Sequence, residues 1–183
     1  MIALMATRSL GIAVLDSILK ERINVVVIAE PDDHKLAKAC IDKGVWLTRW
    51  RKETKHATAA FLQQVEAKAV LAAHWFQYVP REIREATPQG VLAYHPSLLP
   101  RHRGKDSVRD TIAAGDAFAG GTVYQMDEGL DTGPIVKQAA VVIEKEWDAS
   151  RLWREHLFPI GVELLTLTAV DVDRGHELTF VKQ

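Results

Sequence analysis

The amino-acid sequence predicts an α/β fold with a mostly parallel, twisted sheet and helices on both faces. Short apolar runs recur along the first half of the chain at Met1–Ala6, Asn24–Ala29 and Ala69–Ala73. Such uninterrupted runs are typical of strands that are covered on both faces. Stretches with helical spacing lie between them, and this alternation favours parallel strands joined by right-handed crossovers.

The predicted helices of this half have apolar residues at helical spacing, and they cover Leu10–Lys20, Asp32–Lys43 and Thr54–Ala67. The second of them has an acidic start, and Gly44 marks its end, as glycine commonly does. Val45–Thr48 is predicted as a short strand. The first half therefore supplies alternating strands and helices.

The second half continues with fewer helices. Its predicted elements are, in order, strand Val91–Tyr94, helix Asp106–Ala114, strands Gly120–Met126 and Ile135–Ile143, helix Asp148–Asp173 and a short final strand Leu178–Val181. Asp106 is placed to cap the first turn of its helix. The segment Pro159–Gly161 is expected to interrupt the long closing helix.

Composition narrows the class of protein. The 183 residues fit one domain, 1–183, and the formal net charge of −1 argues against nucleic-acid binding. Cys40 is the only cysteine, so no internal disulfide forms and a reducing compartment is expected. We see no signal-peptide layout and no apolar run of the roughly 18 residues that span a membrane. We expect a cytoplasmic protein.

Two histidines follow apolar strands. His74 comes after Ala69–Ala73, and His95 comes after Val91–Tyr94. Ligands of open parallel sheets bind beyond the carboxyl ends of the strands, so both positions are candidates for a site. Pro96 restricts His95 to an extended backbone. A lone histidine is more often structural, and this alternative stays open for each.

Asp131 is the second candidate for chemistry. It lies in the loop "DEGLDTGP" between two predicted strands, where an aspartate is often only a turn former. If the loop folds over the strand ends, its carboxylate could orient an imidazole and stabilise the protonated form. The two groups could then move protons while an amine attacks a carbonyl. Periodicity does not place the two side chains together.

Other side chains allow two interpretations each. The cluster Arg101–Lys105 is either a solvated loop or a grip on an anionic group, to which Arg8 could add. The aromatic residues of Trp75–Tyr78 are either core or a surface that stacks on a flat heterocycle. No histidine pair has helical ligand spacing and one cysteine cannot build a zinc cluster, so no metal is expected.

Two motifs carry a family resemblance. "HPSLLPRHRG" and "YQMDEGLDTGPI" resemble the histidine loop and the aspartate loop of the folate-dependent formyltransferases, which act on glycinamide ribonucleotide, methionyl-tRNA or amino-sugar nucleotides. The resemblance implies a Rossmann-like catalytic domain in which a substrate amine attacks the formyl carbon of 10-formyltetrahydrofolate. It implies that His95 stabilises the oxyanion of the tetrahedral intermediate and that Asp131 assists proton transfer.

The same resemblance implies the binding residues. The folate pocket would be formed by the segment after the fourth strand and by the turn before the aspartate, namely His74, Trp75, Phe76, Gln77, Tyr78, Asp127, Glu128, Gly129 and Leu130. The preferred acceptor is a small amine with an anionic group, which Arg8, Arg101 and Arg103 would hold. No nucleic acid or membrane is expected as a partner.

One residue departs from the family pattern. The usual motif is Asn-x-His, but this chain has Ala93-Tyr94-His95. Loss of one oxyanion donor typically lowers the rate about 100- to 1,000-fold. Two alternatives to transfer therefore stay open: hydrolysis of 10-formyltetrahydrofolate, and folate binding without turnover. A homodimer also stays open, although the apolar cluster Trp147–Phe158 is expected to be core.

Overall fold

A computed structural model describes residues 1–183. Seven strands form one sheet in the order β3-β2-β1-β4-β5-β6-β7, the first five parallel and the last two antiparallel to their neighbours. The strands are β1 Ile2–Ala6, β2 Val25–Ala29, β3 Leu47–Arg49, β4 Ala69–Ala73, β5 Val91–His95, β6 Phe118–Gln125 and β7 Ile135–Val142. The predicted fold class is confirmed.

The helices follow the predicted alternation. They are α1 Arg8–Lys20, α2 His34–Asp42, α3 Lys55–Gln64, α4 Arg81–Arg84, α5 Ser107–Ala113, α6 Ala149–Arg151 and α7 Phe158–Arg174. A 3₁₀ turn, Lys52–Thr54, precedes α3, and the short α4 had no periodic signal. None of the helices is both long enough and apolar enough to cross a membrane.

The sheet separates two hydrophobic cores because successive side chains of a strand point to opposite faces. In β1, Ile2 and Leu4 pack into the core under α1 and α7, whereas Ala3 and Met5 pack into the core on the other face. A third, smaller cluster contains Trp147, Leu152 and Leu157, which are buried as the sequence predicted. Both faces of the sheet are therefore covered.

The closing helix is divided differently from the prediction. The turn Leu152–Leu157 is π-helical, and α7 then runs without a break through Pro159 and Gly161. Proline has no N–H and its ring disfavours a regular preceding turn, so the irregularity lies before the proline rather than at it. The widened turn lets the carbonyl of Leu157 accept a hydrogen bond from the Tyr94 hydroxyl at 2.6 Å.

Two local expectations were wrong. Asp106 precedes α5, but its side chain makes no capping hydrogen bond. The acidic start predicted for α2 is present, because the side chain of Asp33 accepts from the N–H of Leu36 at 2.9 Å. The segment Leu178–Val181 forms no strand, because only Val181 pairs, in an isolated bridge with Ile135.

The two-sided core predicts the effect of a truncation in α7. Leu165 is fully buried, whereas Leu167 on the same helix is 46 % exposed. We expect Leu165→Ala to lower the free energy of unfolding by about 2–5 kcal/mol because it removes buried methyl groups and leaves a cavity. Leu167→Ala is the matched control and is expected to change it by about 0.5 kcal/mol or less. Urea unfolding of both variants measures this, and equal effects would contradict the packing described.

Candidate active site

The site lies where the central parallel strands end. β1, β4 and β5 are paired in register, so the residues that follow or end them meet at one edge of the sheet. His74 follows β4 and His95 is the last residue of β5. His74 has a φ of 58°, in the left-handed region that is uncommon for residues other than glycine. The chain therefore turns sharply at the strand end.

His95 is nearly buried and is held from both sides of its ring. Its Nε2 lies 2.8 Å from the carbonyl oxygen of His102. A carbonyl only accepts, so Nε2 carries the hydrogen of this bond. The other ring nitrogen, Nδ1, lies 3.5 Å from Oδ2 of Asp131. The structure thus brings together the two residues that the sequence could not place relative to each other.

The Asp131 carboxylate accepts hydrogen bonds on both oxygens. The Tyr124 hydroxyl donates to Oδ1 at 2.6 Å, and the N–H of Gly104 donates to Oδ2 at 2.8 Å. Sequence reasoning missed Tyr124, because a tyrosine in a predicted strand gives no signal of what its hydroxyl reaches. Burial first, and then the charge of Asp131, raises the pKa of Tyr124 well above its usual range, so the phenol keeps its proton.

A buried polar network supports the loop that follows His95. The Thr122 hydroxyl donates to the carbonyl of Ser97 at 2.6 Å and accepts from Gln138 at 2.8 Å. The Ser97 hydroxyl donates in turn to the carbonyl of Arg101. Buried polar groups are costly when unpaired, so this network holds the loop in one conformation. It also occupies the Ser97 hydroxyl in a structural role.

The aspartate loop is pressed against β6. A Cβ at Gly133 would lie 1.7 Å from the carbonyl oxygen of Gln125, so only glycine allows this approach. Within the loop, Oδ1 of Asp127 accepts from the N–H of Gly129 at 3.0 Å and from the Thr132 hydroxyl at 2.7 Å. Asp127 therefore stabilises the turn that carries Asp131 toward the strand ends.

These segments surround a cavity of about 630 Å³. This volume is in the range of small-molecule sites. Its lining includes His95 and Asp131 together with all nine residues predicted for the folate pocket, namely His74, Trp75, Phe76, Gln77, Tyr78, Asp127, Glu128, Gly129 and Leu130. No group of three or more His, Cys, Asp or Glu residues is arranged to hold a metal ion.

Position 93 lies on the wall of this cavity. Ala93 is two residues before His95 on the same face of β5 and contributes no side-chain donor. Tyr94 cannot replace one, because its side chain packs on the opposite face, as the strand alternation predicts, and its hydroxyl is bonded to Leu157. Tyr124 is the residue directly opposite Ala93 in the β5–β6 pairing.

His74 lies in an aromatic group at one end of the cavity. Its ring stacks on Trp153 with centroids 5.6 Å apart and meets Phe76 edge-on at 4.6 Å. The Arg8 guanidinium lies 5.9 Å from the Phe76 ring centre. Burial, and to a lesser extent the charge of Arg8, lowers the pKa of His74 to about 4. His74 is therefore neutral at pH 7.

The predicted basic residues separate into two groups. Arg101 forms an ion pair with Asp116, and Arg103 donates to the side chain of Gln183. Neither of them lines the cavity, nor does Arg8, whereas Lys105 does. The hydrogen bond from His102, and then the one from Arg101, hold the pKa of Asp116 below its usual range. This group ties the histidine loop to the start of β6.

The fold and the cavity define a doubly wound α/β protein with a histidine–aspartate pair at the carboxyl edge of its sheet. Residues 1–159 match the family model described as formyl transferase. The chain is 27 % identical to glycinamide ribonucleotide transformylase 1 from Symbiobacterium toebii, with a TM-score of 0.79 over 99 % of this chain and 93 % of that one.

Curated relatives agree with this match. The chain is 35 % identical over 175 residues to mitochondrial 10-formyltetrahydrofolate dehydrogenase of Mus musculus, covering 90 % of this chain and 19 % of that protein. It is 30 % identical over 174 residues to methionyl-tRNA formyltransferase of Thermus thermophilus, covering 90 % of this chain and 57 % of that enzyme. The chain thus spans only part of the length of these relatives.

The chain belongs to the formyl transferase family. This confirms the family that the two motifs indicated, together with the dependence of that family on formyl-tetrahydrofolate as formyl donor. The predicted link to formyltransferases and one-carbon chemistry is confirmed for the family to which the chain belongs.

The lowered pKa of His74 predicts a pH dependence of stability. A free histidine titrates near pH 6.5, so between that value and about pH 4 the unfolded chain binds a proton that the folded protein does not. We therefore expect the free energy of unfolding to decrease as the pH falls through this window and to be independent of His74 above it.

Urea unfolding at pH 7 and pH 5 tests this expectation. His74→Gln should lose part of the difference between the two pH values. His34→Gln, which changes an exposed histidine at the start of α2, should keep the full difference. A wild-type difference that survives in His74→Gln would contradict the assignment.

Proposed function

We propose that this chain transfers a formyl group from 10-formyltetrahydrofolate to the amine of a small, anionic substrate. The observation that carries the proposal is the separation of 3.5 Å between His95 Nδ1 and Asp131 Oδ2 at the wall of the cavity. We also propose that residues 1–183 act as one catalytic domain in the cytoplasm, with a small-molecule partner rather than a nucleic acid.

The pair suits attack by an amine on a formyl carbon. When bound, 10-formyltetrahydrofolate supplies that carbon, which forms a bond to the amine nitrogen as its bond to the folate nitrogen breaks. Asp131 accepts the proton that the amine loses and returns it toward the folate nitrogen. His95 keeps a hydrogen on Nε2 through the carbonyl of His102, which turns Nδ1 toward Asp131 at the wall of the cavity, and we assign it to the oxyanion of the tetrahedral intermediate.

The cavity has the properties that the formyl donor requires. Apolar and aromatic side chains such as Trp75, Phe76 and Leu130 supply surface for a flat ring. The Nδ1 atom of His74 is buried without a hydrogen-bond partner. The backbone of the Asp127–Leu130 turn borders the same space and offers donors and acceptors to the ring edge.

The anionic part of the acceptor is assigned to Arg8 and Lys105. The side chains of Arg101 and Arg103 are bonded to Asp116 and Gln183. The guanidinium of Arg8 lies over the ring of Phe76, which lines the cavity, and has no polar partner, and Lys105 lines the cavity itself. A guanidinium that is not paired within the protein is available to a phosphate or carboxylate. Arg101 and Arg103 stay predicted as contacts of the anionic group, but we give them less weight than Arg8 and Lys105.

Ala93 favours two further candidates. Without a side-chain donor at this position, the site could release formate to water or bind folate without turnover. Formate release with no amine present would indicate the hydrolase. Binding of 5-formyltetrahydrofolate with neither transfer nor hydrolysis would indicate the binding protein.

The proposal is tested by titration calorimetry with 5-formyltetrahydrofolate, followed by turnover of 10-formyltetrahydrofolate with a panel of anionic amines. We expect saturable binding and formylation of at least one amine. The absence of binding would refute the assignment of the cavity to the formyl donor.

Asp131→Asn is expected to separate binding from chemistry. The amide keeps the size of the side chain but cannot take the amine proton, so kcat should fall by about 100- to 10,000-fold. Calorimetric affinity for 5-formyltetrahydrofolate should stay within about threefold, a change of under 1 kcal/mol. Unchanged turnover would remove Asp131 from the mechanism.

Arg8→Gln is expected to raise KM for an anionic acceptor about tenfold or more, because one charge-assisted hydrogen bond is lost. The KM for 10-formyltetrahydrofolate should not change. Arg22→Gln is the matched control, since Arg22 is exposed in the loop before β2, at the opposite edge of the sheet. Equal effects of the two variants would mean that Arg8 contributes only to the general charge.

A further inference from the structure

Tyr124 is a buried phenol near the end of β6, with 4 % of its surface exposed. It lines the cavity, and its hydroxyl ends 2.6 Å from Oδ1 of Asp131. The only other donor bonded to this carboxylate is the N–H of Gly104, on the other oxygen. Tyr124 therefore supplies the one side-chain hydrogen bond to the carboxylate and, together with the N–H of Gly104, sets how the carboxylate is rotated.

Asp131 depends on such support. Its φ of 54° is in the left-handed region, which is disfavoured for residues with a Cβ unless neighbouring groups hold them there. The side chain of Gln183 donates to the carbonyl oxygens of Asp131 and Gly133 and so holds the backbone of the loop. The Gln183 hydrogen bonds do not restrict the torsion of the carboxylate, which is restricted by the Tyr124 hydroxyl and the Gly104 N–H.

The position of Tyr124 is linked to the departure at residue 93. Ala93 and Tyr124 are opposite each other across the β5–β6 pair, so their Cβ atoms lie about 5 Å apart on the same face. The small side chain of Ala93 leaves room for the tyrosine ring. A larger amide at position 93 would compete with that ring for space in the wall of the cavity.

We propose that Tyr124 is a positioning residue of the reacting centre, whose hydroxyl keeps the Asp131 carboxylate turned toward His95 in a site that has no side-chain donor at position 93. This inference rests on the proposed function. It assigns to Tyr124 a role through Asp131, without contact to the formyl group.

The test compares two tyrosine-to-phenylalanine variants. Tyr124→Phe removes the hydroxyl that reaches Asp131. Tyr94→Phe removes a hydroxyl that is equally buried and has a partner at the same distance of 2.6 Å, the Leu157 carbonyl on the opposite face of the sheet. Both variants lose one buried hydrogen bond, so only the contact with the carboxylate distinguishes them.

Three quantities are measured for wild type and both variants. They are the melting temperature, the Asp131 Oδ2 to His95 Nδ1 distance in crystal structures, and the rate at which tetrahydrofolate is released from 10-formyltetrahydrofolate with hydroxylamine as the amine.

In Tyr124→Phe we expect kcat to fall about 10- to 100-fold, as for loss of one hydrogen bond to a charged group. The KM for 10-formyltetrahydrofolate should be unchanged and the carboxylate rotated away from His95. Tyr94→Phe should alter only the melting temperature.

Two results would overturn the proposal. One is a carboxylate that stays in place in Tyr124→Phe with kcat unchanged. The other is a fall in kcat of equal size in both variants that follows their loss of thermal stability. If the wild type releases no tetrahydrofolate, the proposed function fails separately. The crystal structures then decide: rotation of the carboxylate in Tyr124→Phe alone supports the positioning role, and an unmoved carboxylate refutes it.

Discussion

The central strands β1 and β4 are buried along their whole length on both faces, and every other feature of the site depends on this burial. Their side chains are apolar, so no side chain can satisfy the peptide groups and each must pair with a neighbouring strand. That requirement sets the register of β1, β4 and β5. Because these strands are parallel, the register brings their carboxyl ends to one edge, where His74 and His95 lie.

At the carboxyl end of the parallel strands, several residues of the site have unusual backbone torsions. Arg8, His74 and Asp131 all have φ values between 54° and 58°. Each such residue costs roughly 1–2 kcal/mol, so the surrounding structure must hold it in place. For Asp131, the hydrogen bonds from Tyr124 and Gly104 and the close approach of Gly133 to β6 provide that support. The free energy gained by burial in the two hydrophobic cores thus offsets the cost of these left-handed residues at the site.

The chain has the histidine and aspartate motifs of its family but lacks the asparagine two residues before the histidine. The structure shows how the remaining polar groups are arranged around Ala93, which has no side-chain donor. Ala93 faces Tyr124 across the β5–β6 pair, and the phenol is bonded to Asp131. On this face of the site, the side-chain donor of β6, Tyr124, is therefore bonded to the Asp131 carboxylate, whereas β5 offers no side-chain donor at position 93. The comparison of Tyr124→Phe with Tyr94→Phe addresses the consequence for catalysis.

Local sequence was sufficient for most of the fold. Continuous apolar runs and helical spacing identified the strands and the main helices, since both patterns reflect which faces are buried. Their ends were less well predicted. Asp33 and Asp106 both precede helices and are suitable capping residues, but only the side chain of Asp33 makes the capping hydrogen bond, because local backbone geometry decides whether the carboxylate reaches the N–H. The motifs around His95 and Asp131 indicated the family, because each combines a turn with a chemically active side chain.

Contacts between distant segments could not be read from the chain. The 3.5 Å approach of His95 to Asp131, the hydrogen bond from Tyr124 and the pairing of Arg101 with Asp116 each join residues from separate elements. A pattern of residue types describes which face of an element is buried, but it does not describe what that face meets. Periodicity therefore predicted the class of fold, and the two loop motifs singled out His95 and Asp131 as candidates for chemistry. Sheet register and loop packing determined which groups meet in the cavity.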